Sequence, residues 1–88
     1  MKIYYTYILE SETSGKLYIG QTDNLLARLN RHNNGGSLYT RNKGPWKLLY
    51  YITFETRAEA MANEKKLKNF KNPAKVKEYI NKHNSSAG

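Results

Sequence analysis

The chain has 88 residues, no cysteine and a net charge of +8, from 15 Lys and Arg against 7 Asp and Glu. That length holds one domain with a modest core, and the lack of thiols excludes a disulfide framework and a thiolate metal site. No apolar run approaches bilayer-spanning length and the N-terminus enters a strand pattern directly, so the reading is a protein of the reducing cytoplasm, with no membrane contact, whose positive field attracts polyanions, nucleic acid first among them.

In chain order, residues 3–9 and 17–21 alternate apolar and polar side chains around Ser11-Glu12-Thr13-Ser14-Gly15, the pattern of a β-hairpin. A register pairing Leu9 with Lys16 sets Tyr7 opposite Tyr18, with both phenols on one face. Gly20 follows, expected to keep a turn clear for the close approach of a nucleic-acid backbone. Thr22 or Asp23 then caps a helix with an apolar stripe of Leu25, Leu26 and Leu29. Arg28 and His32, four apart, share the edge of that stripe. Asn33-Asn34-Gly35-Gly36-Ser37 ends the helix. The loop after it carries Tyr39, Thr40, Arg41 and Lys43, a mixture suited to phosphate contacts beside a stackable ring, or else simply solvated.

Residues 46–54 alternate apolar side chains on both faces, as a long or central strand does. Thr56 and Glu59 form a capping box that opens a helix to about residue 70, with Ala60, Met61 and Leu67 as its apolar stripe. Glu64 falls inside that stripe, where a carboxylate needs a compensating cation; Lys68 at i+4 can supply one. Asn72 and Pro73 open a last helix to about residue 82, packed through Val76, Tyr79 and Ile80. Seven lysines, from Lys65 to Lys82, spread charge over these two helices with almost no acid between them. The expectation is an α+β domain over residues 1–83, with a three-stranded antiparallel sheet in the order β-β-α-β-α-α, and a disordered tail over 84–88.

The spacing of Tyr7, Tyr18-Ile19-Gly20, Arg28, His32 and Glu64 resembles the GIY-YIG nuclease superfamily, its small stand-alone bacterial members most of all, which are similar to the N-terminal nuclease domain of the larger DNA-repair excinuclease. The first half-motif departs from the pattern, reading Tyr5-Thr6-Tyr7 while keeping its tyrosine. The resemblance implies a phosphodiester-cleaving endonuclease, with DNA ahead of RNA as substrate. It makes Arg28 the phosphate-binding arginine, Glu64 the ligand of one Mg²⁺ or Mn²⁺ ion, and Tyr7 or Tyr18 the group that activates water, with His32 assisting either.

A tyrosine with an ordinary pKa of about 10 can serve as base where nearby cations lower it. A polar residue near the end of the module has two candidates, Asn69 and Asn72. Gly20, Arg31, Tyr39, Arg41, Lys43, Lys65 and Lys68 are the expected nucleic-acid contacts. A catalytically silent nucleic-acid-binding module on the same fold, or a structural protein binding acidic partners, would use the same charge. Oligomeric state is not encoded legibly.

Overall fold

A computed structural model describes residues 2–36, 40 and 43–84. Three strands, β1 (Tyr4–Ser11), β2 (Leu17–Thr22) and β3 (Trp46–Phe54), and three helices, α1 (Leu25–Asn33), α2 (Arg57–Lys68) and α3 (Pro73–Asn84), follow the expected order. The strands form one sheet in the order β2-β1-β3, antiparallel throughout. β1, paired on both sides, is the centre and the most deeply buried of the three. β3 is long but lies at an edge.

The hairpin register differs from the expected one by two residues. Leu9 pairs with Tyr18 and Tyr7 with Gly20. The cause is local: Ser11 N–H donates to Lys16 O and Gly15 N–H to Ser11 O, so the turn closes on Ser11, with Gly15 at φ +76°. The buried Ser11 hydroxyl accepts from the backbone of Thr13 and Ser14 and donates to Lys43 O, fastening this turn to the segment before β3. Because side chains alternate with period two, an even shift leaves every one on its intended face.

The sheet is covered on both sides. One face carries Tyr7, Leu9 and Trp46 and packs Tyr18, Leu25, Leu29 and Leu48; the other carries Ile8 beneath Leu67, Val76 and Ile80 of α2 and α3. A bulge at Ile8/Leu9 against β3 lets Leu49 and Tyr50 both join the second cluster while Leu48 joins the first. Buried Thr6 donates to Ala60 O at 2.7 Å, tying the start of α2 to β1.

Helix ends follow local chemistry. The cap of α1 is Asn24, whose Oδ1 accepts from Ala27 N–H; Thr22 instead brackets Asn24, accepting from its N–H and donating to its C=O. That corrects the expectation of Thr22 or Asp23, both of which lie before the point where the chain turns helical. Thr56 caps α2, and Asn72 Oδ1 accepts from Ala74 N–H at the start of α3. Leu26 and Met61, placed in apolar stripes by their spacing, are exposed at 75% and 51%. The covered stripe of α2 is Ala60 and Leu67, with Asn63 and Glu64 half-buried between them. Among the described residues no helix is long and apolar enough to cross a membrane. The expected tail falls partly outside the described residues, and α3 runs on to Asn84.

Candidate active site

Tyr7 is the centre of the site. It is 1% exposed, its ring lies across Gly20 of the neighbouring strand, and its hydroxyl is 2.9 Å from His32 Nε2. A Cβ on Gly20 would stand 2.6 Å from that hydroxyl oxygen and 2.7 Å from Cζ. Gly20 is thus needed for the tyrosine, within a strand, and not for a turn open to nucleic acid: the space above it is already filled.

His32 comes from the last turn of α1 and is buried, 3% exposed. Its Nδ1 lies 2.8 Å from Oγ1 of Thr40, itself buried, while the Trp46 indole donates to Thr40 O. Asn33 next door accepts from Trp46 N–H and donates to Trp46 O, extending β3 by a side-chain amide. Thr40, grouped by sequence with phosphate contacts, is an internal anchor that orients the histidine. Nothing in the chain around it announces this role; only the fold brings it to His32.

Tyr18 is the diagonal neighbour of Tyr7 on the same face, with ring centroids 6.2 Å apart, and its ring is 4.7 Å from that of His32. The two phenols and the imidazole form one aromatic cluster. Arg28, one turn before His32 on α1, acts on the Tyr7 phenol by charge and as a hydrogen-bond donor. These influences do not prevail: burial pushes Tyr7 up from 10.0 to about 12, with Tyr18 and Glu64 adding to the rise. The expectation of a cation-lowered tyrosine is therefore reversed for Tyr7. His32 is pushed the other way, below the usual histidine range, first by burial and then by Arg28 and Arg31, so it is neutral at neutral pH.

Glu64 is half-buried on α2, its side chain 20% exposed, and Lys68 Nζ lies 2.7 Å from its Oε2. The cation that its position demanded is there. The carboxylate's charge adds slightly to the rise of the Tyr7 phenol. Among the described residues no group of three or more His, Cys, Asp and Glu could hold a metal. A single carboxylate fits Mg²⁺ or Mn²⁺ only as one ligand to an ion that keeps most of its water and takes further oxygens from a phosphate. Lys68, its side chain half-exposed, holds only one of the two Glu64 oxygens and leaves the other for such an ion.

The remaining expected contacts divide. Lys65 is exposed on α2. Arg31 is turned back on its own helix end, its Nε donating to Gly36 O at 3.2 Å. Lys43 is exposed, and its carbonyl holds the hairpin turn. Asn69 caps the end of α2 and Asn72 the start of α3. Tyr39 and Arg41 lie outside the described residues. The lysine-rich helices are less free of acid than they read: Glu10 of β1 takes Lys77 of α3 at 2.6 Å, and Lys47 of β3 at 3.4 Å.

The chain is similar to known proteins in family and fold. The family model of the GIY-YIG catalytic domain matches residues 3–78. A UPF0213 protein of Clostridium perfringens is 48% identical over 61 residues, 68% of this chain and 64% of that one, so the match spans just under two thirds of that relative. A UPF0213 protein of Streptococcus agalactiae is 44% identical over 80 residues, 90% of this chain and 89% of the relative. The solution structure of a UPF0213 protein from Bacillus halodurans superposes with a TM-score of 0.56 at 33% identity, covering 89% of this chain and 82% of that one. With the family model spanning residues 3–78 and a relative 44% identical over 89% of its own length, the chain belongs to the GIY-YIG family.

Proposed function

We propose that this chain is a divalent-metal-dependent endonuclease that hydrolyses phosphodiester bonds, with DNA the first substrate to test. The observation that carries the reading is the buried line Tyr7–His32–Thr40, at 2.9 and 2.8 Å, with Arg28 beside its outer end. A phenol near pKa 12 is a poor base alone, but one hydrogen-bonded to a neutral imidazole can pass its proton inward while taking another from water. In that role Tyr7 O–H donates to His32 Nε2, and His32 Nδ1–H donates to Thr40. Tyr7 thus moves the proton and His32 stores it. Arg28 holds the scissile phosphate through its guanidinium fork, and Tyr18 orients water or phosphate. A divalent ion on Glu64, when bound, supplies charge neutralisation at the phosphoryl and leaving oxygens.

The test is cleavage of single- and double-stranded DNA and RNA with and without Mg²⁺ or Mn²⁺. Arg28→Ala and Glu64→Ala are each expected to reduce the rate by about 10²-fold or more, and Tyr7→Phe by at least as much. Products that persist unchanged in all three variants would refute the reading. One observation favours a second reading, a binding module without catalysis: Lys68 already occupies one oxygen of Glu64. Salt-sensitive binding with no product under any metal would select it.

A further inference from the structure

Beside the site, a groove of about 560 Å³ runs between the outer edge of β2 and the junction of α2 with α3. Its floor is apolar, built from Leu17, Ile19, Leu67 and Val76. Its rim is cationic: Lys16 from the hairpin, Lys68 from α2 and Lys71 from the α2–α3 turn, with no acid among the lining residues. Lys16 and Lys71 have no carboxylate partner among the described residues. Lys71 also holds φ +55°, a left-handed conformation that costs a lysine where a glycine would be at ease. Tyr18 contributes to one wall while its ring packs on His32 on the opposite face of the sheet, and Lys68 reaches from the rim to Glu64. The groove therefore adjoins the candidate site at Glu64.

An apolar slot with cations along its rim selects a ligand with a flat hydrophobic body and anionic links. We propose that this groove receives an unpaired nucleotide flanking the scissile phosphate, the base lying on Leu17 and Ile19 and the neighbouring phosphates on Lys16 and Lys71. This rests on the nuclease reading and narrows it to substrates that present a single-stranded or flipped nucleotide next to the cut. A fully stacked duplex cannot place a base there, because its bases are turned inward.

The test uses the full chain and fluorescently labelled oligonucleotides, read by anisotropy in Ca²⁺ to hold cleavage back. The wild type is expected to bind a duplex with a short unpaired stretch about tenfold more tightly than the uninterrupted duplex, and to lose that preference when the unpaired nucleotide is abasic. Lys16→Glu with Lys71→Glu, both on exposed side chains, removes the preference and lowers the salt dependence of log Kd by roughly two phosphate contacts' worth, about 1.4–1.8 in slope. Equal binding of both probes by wild type and double variant, with cleavage intact, would overturn the groove and leave the nuclease reading standing. No binding and no cleavage of any nucleic acid would overturn both. Loss of binding to vesicles of anionic phospholipid in the double variant, with oligonucleotide binding unchanged, would also overturn the groove, assigning it to lipid instead.

Discussion

Tyr7 and Gly20 act as one unit, since the phenol can lie across β2 only where the partner strand has no Cβ. Gly20→Ala is expected to lower unfolding stability by about 1–3 kcal/mol through overpacking and to reduce cleavage with it. A urea midpoint equal to wild type would show that the ring has room to move. Burial of Tyr7 has a second consequence. Its folded value of about 12 lies above its unfolded value near 10, so the stability linked to the neutral phenol is complete below pH 10 and lost as pH rises through 12. Ultraviolet titration should show one of the eight tyrosines ionising late, and Tyr7→Phe should abolish that last step.

His32 has the opposite sign. Its folded value lies below 6.5, so the unfolded chain takes up the proton first, and stability present above pH 6.5 is lost as pH falls below it. Thermal melts from neutral pH downward should show this slope, and His32→Gln should flatten it.

At the scale of elements, short polar side chains set the boundaries. Asn24 caps α1, so Asn24→Ala is expected to cost about 1 kcal/mol in chemical denaturation, and more than Asp23→Ala, since the ion pairs of Asp23 with Lys2 and Arg57 lie at the surface. A larger loss at Asp23 would move the cap back one residue. Asn33 does more, since its amide takes both backbone groups of Trp46 and locks the end of α1 to the start of β3. Asn33→Ala leaves those groups unpaired and is expected to cost about 1–3 kcal/mol in the same assay. It should also loosen Thr40 and hence the orientation of His32, lowering cleavage beyond the loss of stability.

For the molecule as a whole, a charge of +8 is the long-range part of recognition. Nucleic-acid affinity should fall steeply with added salt, each neutralised phosphate contributing about 0.7–0.9 to the logarithmic slope. Glu10 quiets two lysines, so the free positive surface is narrower than the composition implies. The order of elements, the partial cover on both faces of β3 and the pairing of Glu64 with Lys68 were legible in the chain, because alternation, capping and i,i+4 spacing act within a few residues. The face shared by Tyr7 and Tyr18 was legible too, since period two survives a shift of two. Whether Tyr7 stands opposite Tyr18 or Gly20, whether Thr40 faces solvent or the imidazole, and whether cations or burial govern the phenol were decided only by the tertiary structure. Each depends on where a turn closes, or on which groups distant along the chain exclude water from the same atom, and neither is recorded in local spacing.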